Sequence, residues 1–171
     1  VQLLPPHLVG KDLPATERPG GVTYDLTTQV LGNLERLGID SLLCIGGDGT
    51  LRSAAHLASH GVKVIAIPKT MDNDVQGTEY CIGFSTAISR ASAAIERQRT
   101  TVGSHERIGI FRVFGRDAGF TALYTGHVTS NRCVIPEFKV DLTKLIDLLV
   151  TEKRQNPSNY ALVILSEGAT W

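Results

Sequence analysis

The sequence alternates short apolar runs with segments of helical apolar spacing, and this alternation restricts its possible folds more than any other feature. The clearest runs are SLLCIGG (41–47), VKVIAIP (62–68), RIGIFRVF (107–114) and YALVILSEG (160–168). Their length and their glycine or polar ends are typical of strands buried on both faces. The pattern predicts an α/β fold, with layers of helices around a mostly parallel sheet and right-handed crossovers.

Helical segments separate these runs. The predicted helices cover 26–38, 51–60, 85–99, 117–131 and 142–154, and a further short strand covers 133–137. Asp25, Ser85 and Asp141 precede three of these segments and are predicted to cap them, because short polar side chains bond to free N–H groups at helix starts.

The two ends of the chain suggest a piece of a longer protein. Residues 1–24 are rich in proline and glycine, so we predict a loop or linker there, following strands that the chain does not include. The chain starts at Val1 rather than Met and stops at Trp171, directly after an apolar run. Residues 25–171 are expected to form one partial domain with an incomplete C-terminal lobe.

Charge and cysteine content exclude several classes of protein. Lys plus Arg and Asp plus Glu each total 17, which argues against broad binding to nucleic acid or to anionic membranes. Cys44, Cys81 and Cys133 lie far apart and are expected to be reduced thiols in the core. No apolar run approaches the roughly 20 residues that span a bilayer, and no signal segment is visible, so we expect a cytoplasmic protein.

Polar or glycine residues follow each predicted strand. The segments are GGDGT (46–50), PKTMDND (68–74), GRD (115–117), PE (136–137) and SEG (166–168). Because ligands of α/β sheets bind beyond the carboxyl ends of the strands, these segments predict a binding site at one edge of the sheet.

The segment GGDGT is suited to phosphate. Gly46, Gly47 and Gly49 allow close approach to a ligand, and the helix that starts near Thr50 offers free N–H groups. The carboxylate of Asp48 would repel phosphate unless a divalent cation lies between them, and Mg²⁺ commonly bridges the two. A simple turn from strand to helix explains the same residues and remains open at this stage.

The segment PKTMDND adds more charge. In extended backbone Asp72 and Asp74 would point the same way, with Thr70 beside them. The alternative is that Asp-Asn-Asp only forms turns, but turns do not account for Lys69. Phosphoryl transfer needs a metal, cations and a carboxylate base, and these residue types supply all three.

These motifs carry a family resemblance. GGDGT, PKTMDND, GFSTA (83–87), SHERIGIFRVFGRDAG (104–119), PE and SEGA (166–169), in this order, resemble the phosphofructokinase family over roughly residues 25–171. The resemblance implies Mg²⁺-dependent phosphoryl transfer to the 1-hydroxyl of fructose 6-phosphate, the glycolytic reaction that gives fructose 1,6-bisphosphate. It also implies a homo-oligomer.

The resemblance assigns roles to individual residues. It makes Asp72 the general base. Lys69, from its place beside two acidic residues, and Arg116 are predicted to be catalytic cations. The resemblance places the donor phosphates at Gly47, Asp48, Gly49 and Thr50, and the metal at Asp48 and, less firmly, Asp74. It places the sugar phosphate at Thr70, Met71, Asp72, Arg107, Phe114, Gly115, Arg116 and Glu167. In the family the arginine matching Arg107 reaches into a neighbouring subunit, which implies at least a dimer.

The phosphoryl donor is predicted to be ATP. In the family a glycine at the position of Gly49 leaves room for the α-phosphate of ATP, whereas an aspartate confines the enzyme to pyrophosphate. The pyrophosphate-dependent enzyme remains the alternative. In the family a lysine at the position of Lys69 occurs in the pyrophosphate enzymes and in a subset of the ATP enzymes, and the surrounding PKTMDNDV and YCIGFSTA resemble the pyrophosphate branch more closely.

Two departures from the family pattern qualify the resemblance. The glycine-rich first strand and the second lobe are absent from the sequence, so the chain alone is expected to be inactive. A catalytically inactive homologue that binds or regulates is the alternative from another class. The presence of Asp48, Asp72 and Arg107 argues against it.

Overall fold

The computed structural model describes residues 4, 8–9, 12–19 and 21–171. These residues divide into two compact units, one from 1–44 and 52–66 and the other from 45–51 and 67–171. In chain order the elements are β1 (Ala15–Arg18), β2 (Gly21–Tyr24), α1 (Thr27–Arg36), β3 (Ser41–Gly46), α2 (Asp48–Ser59), β4 (Lys63–Pro68), α3 (Phe84–Ser104), β5 (Ile108–Val113), α4 (Phe120–Val128), β6 (Arg132–Val134), α5 (Leu142–Gln155) and β7 (Ala161–Ser166).

The second unit is built on a sheet in the order β5-β7-β6, in which both pairings are parallel. The central strand β7 is buried along its length except at Leu165, which is half-buried. On one face Leu162 and Ile164 pack with Ile95 and Ala122, and on the other Ala161 and Val163 pack with Val134 and Leu149. The α/β fold and the parallel pairing predicted from the apolar runs are confirmed.

The strands β3 and β4 pair with each other. Burial on both faces was predicted for them, and this is wrong in the structure. Leu43, Ile45 and Ile65 are 67%, 57% and 63% exposed. A periodic apolar run shows that a strand can be buried, but the sequence does not show which neighbour covers it.

The prediction of a loop over residues 1–24 is wrong for β1 and β2, which form an antiparallel pair from Ala15↔Tyr24 to Arg18↔Gly21. Thr23 Oγ1 also donates a hydrogen bond to the carbonyl of Thr16 (3.0 Å). The prolines and glycines interrupt these two short strands at their ends and do not prevent them. Residues 1–3, 5–7, 10–11 and 20 lie outside the described part of the chain.

The helix starts follow the predictions only in part. Asp141 caps α5 by accepting a hydrogen bond from Lys144 N (3.0 Å), as predicted. Ser85 does not cap α3, which begins one residue earlier, after Gly83 in the left-handed conformation (φ 99°). Asp25 lies one residue before the N-cap of α1 and accepts from Thr27 N (2.9 Å) and from the Thr27 hydroxyl. These bonds lower the pKa of Asp25.

The thiols of Cys44, Cys81 and Cys133 are free, as predicted. Only Cys81 is buried, and Cys44 and Cys133 are half-buried, so the predicted core position is wrong for these two. Among the described residues, no helix combines the length and the hydropathy needed to cross a bilayer.

Candidate active site

One cavity of about 440 Å³ collects most of the residues singled out in the sequence, and all of its lining belongs to the second unit. The lining residues are Gly47, Asp48, Gly49, Thr50, Thr70, Asp72, Asp74, Phe114, Arg116, Asp117 and Glu167. They come from the segments that follow β3, β4, β5 and β7. The predicted convergence of strand ends therefore occurs for four of the five segments.

The first side of the cavity is the turn from β3 into α2. The strand ends at Gly46 and the helix begins at Asp48, so Asp48 and Gly49 lie in its first turn. A Cβ atom on Gly49 would meet nothing within 4 Å, and one on Gly47 would meet Thr70 only at 3.7 Å. This side is open, with free space next to a helix N-terminus, where an anion is favoured by the helix dipole.

The loop after β4 contributes Thr70, Asp72 and Asp74 to the cavity lining. Extended backbone was predicted for Asp72 to Asp74, and this is wrong at Asn73, which has a positive φ of 55°. The Asn73 side chain stabilises the turn, since its Oδ1 accepts from Cys81 N (2.8 Å) and its Nδ2 donates to the carbonyl of Glu79 (3.0 Å). A turn of this kind suits asparagine, and the aspartates on either side of it both line the cavity.

The segments after β5 and β7, which contribute Phe114, Arg116, Asp117 and Glu167 to the lining, form the packed side of the cavity. The carbonyl of Gly115 accepts hydrogen bonds from Ser166 Oγ and from Gly168 N (3.0 Å). A Cβ on Gly168 would lie only 1.7 Å from the carbonyl oxygen of Arg116. The two hydrogen bonds and the close backbone approach at Gly168 hold the segment after β5 against the segment after β7. Arg116 Nη2 and Glu167 Oε1 lie 3.9 Å apart.

The cavity is strongly acidic, with five carboxyl groups and one arginine in its lining. Burial raises the pKa of Asp72, and the charges of Asp74 and Glu167 raise it further, with Arg116 opposing them. Asp72 Oδ1 is buried without a hydrogen-bond partner. A half-buried carboxyl group whose pKa is raised by these causes is suited to accept a proton from a bound hydroxyl.

Several predicted residues do not line the cavity. Among the described residues, Lys69, Met71, Arg107 and Gly115 are outside its lining. Lys69 contributes its backbone, which bridges to Ile82 and donates to the Gly46 carbonyl (2.8 Å). The segment PE is also elsewhere, because Glu137 accepts from Gly119 N (2.7 Å) at the start of α4.

Asp117, for which the sequence predicted no role, lines the cavity, and its charge adds to those that raise the pKa of Asp72. Its position in GRD, directly after a predicted strand, is the sequence feature that could have identified it as a site residue.

The lining suits a magnesium ion that is shared with phosphate. Within the described part of the chain, no group of three His, Cys, Asp or Glu residues converges into a protein-only metal site. Mg²⁺ is usually held by one or two carboxylates, with water and phosphate oxygens completing its octahedron. Asp48 and Asp74, which line the same cavity as the open turn, provide that donor set.

Comparisons with known proteins point to one family. A family model described as Phosphofructokinase matches residues 11–171. ATP-dependent 6-phosphofructokinase 3 of Bacteroides thetaiotaomicron is 36% identical over 154 residues, which are 88% of this chain and 46% of that protein. ATP-dependent 6-phosphofructokinase of Corynebacterium efficiens is 43% identical over 143 residues, which are 82% of this chain and 41% of that protein.

Among solved structures, phosphofructokinase from Saccharomyces cerevisiae has a TM-score of 0.72 at 29% identity. That similarity covers 84% of this chain and 23% of the yeast chain. The chain spans less than half the length of the two bacterial relatives.

Proposed function

Because the chain belongs to the phosphofructokinase family, we propose that the protein transfers a phosphoryl group from ATP to the 1-hydroxyl of fructose 6-phosphate. The observation that carries this proposal is the position of Asp72, whose buried and unpartnered oxygen lines one cavity with the phosphate-suited turn of Asp48 and Gly49. The chain spans less than half of its curated relatives, so the activity is proposed for the whole protein.

In the proposed reaction Asp72 takes the proton of the sugar's 1-hydroxyl. The hydroxyl oxygen attacks the terminal phosphorus, a P–O bond forms, and the bond to the leaving ADP oxygen breaks. Burial and the neighbouring carboxylates make the Asp72 carboxyl group a better proton acceptor than an exposed one. Arg116, in the same lining, is a cation beside the transferred group.

The donor phosphates are assigned to the open turn, where Gly47, Gly49 and Thr50 line the cavity. Mg²⁺ would be held by Asp48, with Asp74 as a second ligand, and would neutralise charge on the phosphates. Without such a cation, the acidic lining would repel the donor.

The sugar phosphate is assigned to Thr70, Met71, Phe114, Gly115, Arg116 and Glu167. Arg107 is exposed and outside the cavity lining, which is compatible with a role in the site of a neighbouring subunit. The protein is therefore proposed to be a homo-oligomer, at least a dimer. A cytoplasmic location, expected from the sequence, remains a separate proposal. Lys69 remains a proposed catalytic cation, although its side chain is exposed and lies outside the lining.

The test is an assay of the full-length protein with Mg²⁺, fructose 6-phosphate and either ATP or pyrophosphate. Asp72→Asn is expected to lower kcat by roughly 10³-fold with little change in KM, because the variant lacks the general base. Asp117→Asn is the matched control, since it removes a carboxylate from the same cavity and should cost less than about tenfold.

The outcomes separate the candidate functions. Turnover with pyrophosphate alone would favour the alternative donor, to which the resemblance of PKTMDNDV and YCIGFSTA points. Sugar-phosphate binding without turnover would favour the inactive homologue. Near-normal turnover of Asp72→Asn would refute the assignment of the base.

A further inference from the structure

The hydroxyl of Thr121 lies in the interior of the second unit and bonds to a distant segment of the chain. Thr121 is the second residue of α4 and is only 3% exposed. Its Oγ1 donates a hydrogen bond to the carbonyl oxygen of Met71 (2.7 Å), 50 residues earlier in the chain. This bond links the start of α4 to the loop that carries Asp72.

Thr125 shows that burial alone does not account for this contact. It lies one turn further along α4 and is 0% exposed. Residues four apart lie on the same face of a helix. The Thr125 hydroxyl oxygen has no hydrogen-bond partner among the described residues. Two buried threonines therefore share one helix face, and only Thr121 bonds to the loop after β4.

The bond from Thr121 acts on the peptide unit that precedes Asp72. The carbonyl of Met71 and the N–H of Asp72 belong to one planar peptide group. The N–H donates to Thr70 Oγ1 (3.2 Å) while the carbonyl accepts from Thr121, so the plane is held on both sides. On the far side of Asp72, the side chain of Asn73 fixes the turn.

With both neighbouring backbone segments fixed, the direction of the bond from Cα to Cβ of Asp72 is also fixed. Thr121 is outside the cavity lining, so it acts through Asp72 and not on a ligand. We propose that Thr121 is a positioning residue for the general base, an inference that rests on the function proposed above. A carboxylate displaced by about 1 Å from its working position can cost roughly 100-fold in rate. Loss of the single hydrogen bond from Thr121 is therefore expected to lower kcat measurably.

The experiment compares Thr121→Val, Thr125→Val and Thr121→Ser in the full-length protein. Valine has the shape of threonine without the hydroxyl, so the first two variants remove one buried oxygen each from the same helix face. We expect Thr121→Val to lower kcat about tenfold, with KM for fructose 6-phosphate changed less than twofold. Thr125→Val should match the parent, and Thr121→Ser, which keeps the hydroxyl, should recover most of the lost kcat.

A second readout does not depend on turnover. Hydrogen exchange of the amides in residues 70–75 should be at least fivefold faster in Thr121→Val than in Thr125→Val, because the loop has lost one of its anchors. If the parent protein turns over neither donor, the proposed function fails, and the exchange result alone decides whether Thr121 positions the loop. Equal kcat and equal exchange in the two valine variants would overturn the inference, as would a loss of kcat without faster exchange.

Discussion

Glycines on the open side and on the packed side of the cavity have different surroundings. On the open side, a Cβ at Gly49 would meet nothing within 4 Å. On the packed side, a Cβ at Gly168 would lie 1.7 Å from the carbonyl oxygen of Arg116, and one at Gly115 would lie 2.5 Å from that of Ala118. The packed side needs glycine for the fold, whereas nothing in the fold requires glycine at position 49. The difference teaches that close backbone packing explains the glycines of the packed side, whereas the open space at Gly49 fits the donor site proposed above.

The largest expected effect is on the packed side. Gly168→Ala places a methyl group against backbone, so the segments after β5 and β7 must separate. We expect a loss of about 3 kcal/mol in the free energy of unfolding, measured by urea titration, together with loss of activity.

The matched variant on the open side is Gly49→Ala. Gly49 lies within α2, where alanine is favoured over glycine, so stability should stay the same or rise by about 0.5 kcal/mol. Equal destabilisation by the two alanine variants would remove the distinction between the two sides.

The next effect concerns the donor. Gly49→Asp adds a carboxylate where the space is open, and we expect turnover with ATP to fall roughly 100-fold, through repulsion of the donor phosphates. Stability should hold, because aspartate is favourable in the first turn of a helix. The measurement is kcat/KM for ATP beside thermal unfolding. An unchanged kcat/KM would show that the open space is not where the donor binds.

The smallest expected effect is the change in the free energy of unfolding when Asp72 is replaced, and this change depends on pH. The pKa of Asp72 is raised in the folded protein, so the folded state binds this proton more tightly than the unfolded state does. The stability that this group contributes is therefore complete below the unfolded pKa of about 4 and is lost as the pH rises through the folded value. Asp72→Asn should raise the free energy of unfolding of the metal-free protein at pH 7, and the gain over the parent should shrink as the pH approaches 4.

Equal stability of this variant and the parent at pH 7 would contradict the raised pKa. If the Asp72 variant is stabilised while the Gly168 variant is destabilised, the loop after β4 is shaped for function at some cost in stability.

The sequence predicted the strands of the second unit well, because runs such as 160–168 contain apolar residues with clear ends. It also predicted that Asp48, Asp72 and Glu167 would converge, since the carboxyl ends of parallel strands lie at a common edge. These predictions depend on regular geometry, which repeats from one α/β protein to the next.

The remaining features depend on individual contacts between distant residues. The positive φ of Asn73 follows from bonds to residues 79 and 81, and the start of α4 depends on Glu137, eighteen residues away. The Thr121 hydroxyl could not be told from any other helical threonine until its partner at Met71 was seen. Periodicity carries no information about such pairs.

The apolar side chains left uncovered on β3 and β4 also govern how the chain would behave when produced by itself. Leu43, Ile45 and Ile65 are each more than half exposed. The two short strands therefore carry an exposed apolar surface that favours association. Purified in isolation at high concentration, residues 1–171 should self-associate and precipitate, and Leu43→Lys with Ile65→Lys should keep them in solution.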